Sequence, residues 1–315
     1  MKQPNETFDE NASGVYLIAV TPFTETGELD LESTDRLIDF YLERGVNGLT
    51  VLGILGEAPK LTAHESAQFV QRVLARVNGK VPVVVGASAA GFAAMGELTQ
   101  RVMDSGAAGV MVAPAPNLRS DDQIRSYFAM VNETLGPDVP WVLQDHPNST
   151  GVQMSSSVVM QVIAQSSRCV MLKHEDSPGL GKLSAIRGAQ AQQTLRHISI
   201  LTGNGGGLFL PEELERGADG AMTGFAFPEM MVQVCQAHAA GDRDRACDLF
   251  DAYLPFARYE QQPGIGLAVR KHVLAKLGAI ACPALRRPGP TLSAQDIADI
   301  DYLLERQQRR LSDLG

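Results

Sequence analysis

The stretch ERGVNGLTVLG, residues 43–53, decides the fold, because its plan returns twice further along the chain. DSGAAGVMVAP at 104–114 and ERGADGAMTG at 215–224 also run from a polar helix end through a glycine, two residues and a second glycine into a strand. The first glycine suits the left-handed residue that ends many helices, and the second lets the chain turn into the strand. The repeat therefore predicts helices that lead directly into strands.

Eight short apolar runs lie in the first 224 residues, separated by segments with helical spacing. Apolar and polar residues do not alternate in them, which is typical of parallel strands buried on both faces. The runs are VYLIAV ending at residue 20, LTVLG at 53, VPVVVG at 86, GVMVAP at 114, WVLQD at 145, CVMLK at 173, ISILTG at 203 and GAMTG at 224. Eight such strands, each followed by a helix, predict an α/β fold, a (β/α)8 TIM barrel.

The sequence divides into three predicted parts. Residues 1–13 form a polar N-terminal tail, residues 14–241 form the barrel that carries the catalytic site, and residues 242–315 form a C-terminal appendage of three helices. No strand-like run follows about residue 228, and the patterns beyond it are helical, with Ser293 as the expected cap of the last helix.

Composition narrows the class of partner. A net charge of −9 and a pI near 5.2 argue against nucleic acid and against an anionic membrane surface. The four cysteines include no C-x-x-C pair, which argues against a zinc site or a disulfide framework. The N-terminus does not read as a signal peptide, and no run approaches the roughly 18 apolar residues of a membrane span. We therefore expect a cytoplasmic protein with a small-molecule substrate.

The loops that follow the strands build the active site in barrels of this kind. Lys173 is the only lysine or arginine in or directly after any of the eight runs. In an apolar cavity the ammonium form of an amine is disfavoured, and the neutral form can attack a carbonyl to give a Schiff base. A strand-end lysine that only pairs with a neighbouring carboxylate is the alternative.

Several motifs carry a family resemblance from about residue 14 to the end of the chain. They are GVYLIAVTPFTETGELD at 14–30, GLTVLGILGEAPKLTAHE at 48–65, QDHPNSTG at 144–151, MLKHEDSPG at 171–179 and LTGNGGGLFLPEELERGADGAMTG at 201–224. In order and spacing they resemble the dihydrodipicolinate synthase and N-acetylneuraminate lyase family. The resemblance implies a Schiff-base-forming lyase, an aldolase or hydro-lyase, acting on pyruvate or another 2-oxo acid. It also implies a homo-oligomer, a tetramer or dimer, and no cofactor beyond the covalent imine.

The resemblance assigns roles by position. Lys173 matches the lysine that forms the imine, and the turn GILGE at 53–57 matches the one whose backbone N–H groups hold the carboxylate of the 2-oxo acid. Such backbone donors do not depend on the side chain. The residues that we expect to bind substrate at this mouth are Gly53, Ile54, Leu55, His146, Gly203, Asn204 and Met222.

The chain departs from the family pattern at four places. Ile54 and Leu55 replace two threonines, Gln144 replaces the tyrosine that transfers protons beside the imine, residues 115–116 replace a second tyrosine, and Ser149 replaces an arginine that binds the second substrate in the synthases. Glutamine has no titratable proton, although it can still donate a hydrogen bond. The synthase reaction is therefore poorly supported, whereas imine formation, which needs the lysine and the backbone turn, is less affected.

Other residues can carry protons. If the sixth strand continues past Lys173, Glu175 lies on the same side as the amine and His174 points away, and His146 shares the barrel side with Gln144 by the same alternation. We therefore name Lys173, Gln144 and Glu175 as the catalytic candidates. The alternative for Glu175 and Asp176 is a structural one, as carboxylates that favour the start of the next helix.

Two further readings stay open. Asp145, His146, His174 and Glu175 have the residue types of divalent-metal ligands, which allows a metal-dependent barrel enzyme. The missing hydroxyl groups also allow a barrel that binds a 2-oxo acid without turnover, as a regulatory protein. The leading interpretation, the Schiff-base lyase, has no metal.

Overall fold

The computed structural model describes residues 8–203 and 208–314. Its eight strands run parallel in chain order and close into a barrel, because β8 pairs with β1. The predicted (β/α)8 barrel is confirmed. The strands are β1 Gly14–Ile18, β2 Gly48–Val51, β3 Val83–Gly86, β4 Gly109–Val112, β5 Trp141–Asp145, β6 Cys169–His174, β7 Ser199–Thr202 and β8 Gly220–Ala221.

Helices surround the barrel and extend beyond it. Two short 3-10 helices, Ile54–Gly56 and Ala58–Lys60, follow β2, and a single helical turn, Pro147–Thr150, follows β5. The α-helices in the described residues are α1 Leu31–Glu43, α2 Ala63–Val77, α3 Phe92–Asp104, α4 Asp121–Leu135, α5 Pro147–Thr150, α6 Ser156–Gln165, α7 Leu180–Ala191, α8 Leu210–Glu215, α9 Pro228–Ala239, α10 Arg243–Glu260, α11 Gly266–Lys276 and α12 Ala294–Leu314. None of them is long and apolar enough to cross a bilayer.

The repeated glycines serve two different purposes. Gly45, Gly106 and Gly217 have φ angles of +75°, +97° and +89°, so the first glycine of each repeat ends its helix in the left-handed conformation, as the pattern predicts. The second glycine is needed for space in at least one repeat. A Cβ on Gly48 would overlap the ring of Tyr16 on the neighbouring strand, so the larger residue on β1 fits only because β2 begins without a side chain.

Side chains that alternate along the strands fill the barrel interior. Phe8 and Ala12, within the predicted tail, are buried in the same interior cluster, and the Phe8 ring lies 5.9 Å from that of Tyr16. These residues close the end of the barrel where the strands begin. The other members of this cluster lie on the strands or next to them and are Tyr16, Ile18, Val84, Ala108, Met111, Val142, Val170, Met171, Leu201 and Met222.

A buried ion pair ties α11 to the turn after β2. Nζ of Lys271 lies 2.6 Å from Oε1 of Glu57, and both side chains are buried. Oε2 of Glu57 accepts hydrogen bonds from Nζ of Lys60 and from the backbone N–H of Arg286. The C-terminal segment is therefore fastened to the end of the barrel at which the strands end, where the candidate site lies.

Candidate active site

A cavity of about 560 Å³ opens at the C-terminal ends of the strands. Residues after β2, β5, β6, β7 and β8 contribute to its wall, and so does the connection between α10 and α11. This is the end of a TIM barrel where active sites are built. Polar side chains at the strand ends therefore line one common cavity.

Lys173 is the penultimate residue of β6 and is 5% exposed. Met171, two residues earlier, belongs to the interior cluster, so alternation also directs the Lys173 side chain inward. Its Nζ lies 2.8 Å from Oε1 of Glu175. The amine thus stands at the top of an apolar barrel interior with one carboxylate as its immediate partner.

Glu175 extends the pattern of β6 by one residue. Its backbone N–H donates to the carbonyl of Asp145 on β5, which keeps the strand geometry and places Glu175 on the same side as Lys173. Oε1 of Glu175 also accepts a 2.8 Å hydrogen bond from Nε2 of Gln144. Gln144 and Lys173 are register partners in the barrel, so the carboxylate joins two neighbouring strand ends.

His146 forms the edge of this cluster. Its Nδ1 lies 3.9 Å from Oε2 of Glu175 and 2.8 Å from Oγ of Ser149. Burial lowers the pKa of His146, and the nearby carboxylate of Glu175 only partly opposes that effect. The imidazole is therefore neutral near pH 7 and available as a proton acceptor.

Asp145 and His174 face away from the cavity. Nζ of Lys182 on α7 lies 2.8 Å from Oδ2 of Asp145 and 2.6 Å from Oδ2 of Asp176. Nε2 of His174 donates to the carbonyl of Gly179 at 2.9 Å. Burial acts to raise the pKa of Asp176, but the hydrogen bonds from Lys182 and Gln153 outweigh it, and the net effect lowers the pKa.

This division separates the four residues of the metal-enzyme reading. His146 and Glu175 line the cavity, whereas Asp145 and His174 lie on the other side of the strands. Within residues 8–203 and 208–314, no three His, Cys, Asp or Glu side chains form a group that could hold a metal ion. The alternation of side chains is the physical reason why adjacent residues in the sequence cannot act as one ligand set.

Hydrogen bonds within the turn after β2, and one from Thr21, hold that turn in place. The N–H groups of Gly56 and Glu57 donate to the carbonyls of Gly53 and Ile54, and Oγ1 of Thr21 donates to the Gly56 carbonyl at 2.6 Å. The N–H groups at the start of the 3-10 helix have no partner inside the helix. Ile54 and Leu55, which provide those groups, line the cavity.

The remaining candidates fall into three groups. Gly203 lines the cavity, and a Cβ there would come 2.5 Å from Cγ of Glu175, so the glycine makes room for the carboxylate. Asn204 lies outside the described residues. Met222 is fully buried in the interior cluster and does not reach the cavity wall, whereas the next residue, Thr223, does. Gly53 begins the turn but is not part of the wall itself.

Sequence reasoning missed the contribution of the C-terminal helices. Residues 260–264, 266 and 267, with Arg270, form one side of the cavity. A signal was present in QQPGIGLAVRK at 261–271, where a Pro- and Gly-containing connection precedes two adjacent cations inside an apolar helix. Cations in such surroundings need buried acidic partners, but the sequence does not reveal which residues those are.

The fold and the site together define a (β/α)8 barrel protein with a buried lysine beside a carboxylate at the end of β6. The sequence profile of the Dihydrodipicolinate synthetase family matches residues 11–307. The chain belongs to this family. The membership agrees with the resemblance that its motifs indicate.

Similar proteins include both a dehydratase and synthases. The chain is 28% identical over 299 residues to L-2-keto-3-deoxyarabonate dehydratase from Azospirillum brasilense, covering 91% of this chain and 92% of the relative. It is 33% identical over 248 residues to 4-hydroxy-tetrahydrodipicolinate synthase from Oceanobacillus iheyensis, covering 78% and 81%. The crystal structure of dihydrodipicolinate synthase from Rhodopseudomonas palustris superimposes with a TM-score of 0.93 at 52% identity, covering 95% of this chain and 99% of that one.

Proposed function

We propose that the protein is a Schiff-base-forming lyase, an aldolase or hydro-lyase, that acts on pyruvate or another 2-oxo acid through Lys173. The observation that carries the proposal is the pairing of a buried amine and a buried carboxylate, 2.8 Å apart, at the wall of the cavity. Membership of a lyase family supports the same chemistry. No cofactor is needed, because the imine itself activates the carbonyl carbon.

Imine formation needs a proton acceptor close to the amine. Glu175 takes a proton from the Lys173 ammonium through their hydrogen bond, which leaves a neutral amine. The amine nitrogen attacks the carbonyl carbon of the 2-oxo acid, and the carbonyl oxygen leaves as water after it receives two protons. One of these protons returns from Glu175 and the other comes from the attacking nitrogen. The nitrogen keeps one proton, so the product is a protonated imine, which draws electrons from the neighbouring carbon.

The next step removes or adds a proton at the carbon beside the imine. Glu175 is the group in position to do so, and His146 is the second titratable side chain at the cavity. Gln144 has no proton to transfer, but its amide holds Oε1 of Glu175 in place. A hydro-lyase then expels a hydroxyl group that receives a proton, whereas an aldolase breaks or forms a carbon–carbon bond through the enamine.

The side chains favour these two reactions over the synthase reaction. Ser149 lines the cavity where the resemblance places a substrate-binding arginine in the synthases, and Gln144 stands in the place of a tyrosine. The relative from Azospirillum brasilense, matched over nine-tenths of both chains, is a dehydratase of a 2-keto-3-deoxy sugar acid. We therefore place a hydroxylated 2-oxo acid among the first substrates to test.

Borohydride trapping tests the proposal directly. Pyruvate and borohydride should convert Lys173 to a stable secondary amine, located by peptide mass spectrometry, and Lys173→Arg should abolish the adduct. Lys276→Arg, at an exposed lysine of α11, is the matched control and should trap normally. If neither pyruvate nor any hydroxylated 2-oxo acid is trapped at Lys173, the proposal is wrong.

A barrel that binds a 2-oxo acid without turnover remains the second candidate. It is favoured by Ile54 and Leu55, whose apolar side chains offer no hydroxyl group to a proton relay. Thermal stabilisation by 2-oxo acids, combined with no consumption of any of them and no trapped adduct, would support this reading against the lyase.

We also propose that the protein acts in the cytoplasm and forms a homo-oligomer. The four widely spaced cysteines, which do not form the pattern of a disulfide framework, support the compartment. Light scattering of the purified protein measures the assembly. A monomeric mass across the working concentration range would remove the oligomer from the proposal.

A further inference from the structure

A buried guanidinium from the C-terminal helices reaches the active-site cavity. Arg270 on α11 is 2% exposed and lines the same cavity as Lys173. Its Nε and Nη2 lie 2.7 and 2.6 Å from Oε1 of Glu260, the last residue of α10. The other oxygen, Oε2, accepts the backbone N–H of Ala226. Glu260 therefore holds the edge of the guanidinium formed by Nε and Nη2, and both of its carboxylate oxygens accept hydrogen bonds.

The third nitrogen of Arg270 is unused. Nη1 is shielded from solvent and has no hydrogen-bond partner within the described part of the chain. Buried N–H donors without acceptors are destabilising, since they lose their bonds to water and gain none in return. An acceptor supplied by a ligand would remove that penalty.

Two neighbours define where Nη1 lies. A Cβ built on Gly224, after β8, would overlap Nη1 and would come 3.0 Å from Cδ1 of Leu55. Gly224 does not have a positive φ, so its backbone does not require glycine and the missing side chain serves only to make room. The unused nitrogen therefore lies beside Leu55, in the turn after β2.

The connection between α10 and α11 is built to hold this arrangement. A Cβ on Gly266 would overlap the carbonyl oxygen of Glu260, and the Gly266 N–H donates to the carbonyl of Gln262. The absence of a side chain lets α11 begin directly against the end of α10. This docking brings Glu260 and Arg270 together.

Strand order relates this nitrogen to the reactive amine. In a closed barrel of eight strands in sequence order, β2 lies opposite β6. A small molecule joined to Lys173 at the end of β6 can extend across the mouth toward the turn after β2. Arg270 lines the same cavity, and its Nη1, unpartnered within the described residues, lies beside Leu55 of that turn.

We infer that Arg270 binds the carboxylate of the 2-oxo acid through Nη1, together with the backbone N–H groups of the turn after β2. The inference rests on the proposed function, because it takes the substrate to be a 2-oxo acid joined to Lys173. Arginine suits the role, since charge-assisted N–H···O bonds to a carboxylate are stronger than neutral ones and the guanidinium keeps its charge. Arg270 thus selects carbonyl compounds that carry an adjacent carboxylate.

Two variants separate this role from a structural one. Arg270→Lys keeps a cation for Glu260 but has no second nitrogen to offer the cavity, and Gly224→Ala displaces Nη1 without changing any charge. Borohydride trapping at Lys173 is measured as a function of concentration with pyruvate and with pyruvamide, its neutral analogue. Gly181→Ala, at a glycine with open space around it, and Arg119→Lys, at an exposed arginine, are the matched controls.

Both variants should raise the half-saturating concentration of pyruvate about tenfold or more and leave that of pyruvamide unchanged. The preference of the wild-type protein for the carboxylate would then collapse, while the two control variants keep it. Equal losses with both compounds, or no loss with either, would overturn the inference. If the wild-type protein itself traps neither compound nor any other 2-oxo acid, the proposed function fails first, and the two failures are distinguishable in the wild-type arm.

Discussion

Glu175 contacts the amine of Lys173 at 2.8 Å and is held from the other side by the amide of Gln144, also at 2.8 Å. The two contacts share one oxygen, Oε1, so the carboxylate lies between a cation and a neutral donor. A phenol would offer its own proton here, whereas Gln144 can only orient its neighbour. In the proposed mechanism, proton transfer therefore depends on Glu175.

Glu175→Gln should reduce turnover by about two to four orders of magnitude, the usual contribution of a positioned acid or base. The amide keeps the size of the side chain but cannot accept the proton from Lys173. The rate of imine formation, followed by borohydride quenching at successive times, should fall with it. Glu175→Asp, which keeps the acid but shortens the reach, should retain more activity than Glu175→Gln. Wild-type turnover in Glu175→Gln would contradict this role.

Gln144→Leu should have a smaller effect than the loss of the carboxylate. It removes the amide hydrogen bond to Glu175 with little change in side-chain size. A hydrogen bond to a charged group contributes about 1.5–3 kcal/mol, so kcat should fall by roughly ten- to a hundredfold. Gln144→Asn, which keeps an amide on a shorter chain, is the companion variant. A loss as large as that of Glu175→Gln would mean that Gln144 does more than position its neighbour.

Much of this arrangement follows from local pattern. The apolar runs predicted the strands because strands buried on both faces carry no polar alternation, and alternation beyond Lys173 placed Glu175 inside and His174 outside. Met222 was the exception at the strand ends, since only its neighbour Thr223 is high enough in the barrel to reach the cavity.

Contacts between distant parts of the chain could not be predicted in this way. Glu57 and Lys271 are 214 positions apart, and their pairing depends on how α11 docks on the barrel. The same docking brings Arg270 and Glu260 to the cavity. The sequence shows that Arg270 and Lys271 lie in an apolar helix, but only the packing of the helices reveals which acidic residues are their partners.

His146→Gln tests the pH dependence of stability. Burial lowers the pKa of His146 in the folded protein, so the unfolded chain, with a histidine pKa of about 6.5, binds the proton more readily. The stabilisation that the neutral imidazole provides is present above the pKa of the unfolded chain, and it is lost as the pH falls through the lower pKa of the folded protein. The free energy of unfolding of the wild type should therefore drop more than that of His146→Gln between about pH 7.5 and pH 5.5. Parallel losses in the two proteins, measured by urea titration, would count against a buried neutral imidazole.

Lys182→Met should destabilise the protein by about 3–5 kcal/mol, the range for removing one partner of a buried ion pair. Lys182 forms ion pairs with both Asp145, at the end of β5, and Asp176, just after β6. Its Nζ also donates a hydrogen bond to the carbonyl of Met154. The pKa of Asp176 is lowered in the fold, so its share of the stability is present above about pH 4, the value for an unfolded aspartate, and fades as the pH falls. The difference between wild type and Lys182→Met in urea unfolding should therefore narrow in acid. Lys182→Arg, which keeps the charge, should lose less, and an equal loss from both variants would show that packing, not charge, makes this residue necessary.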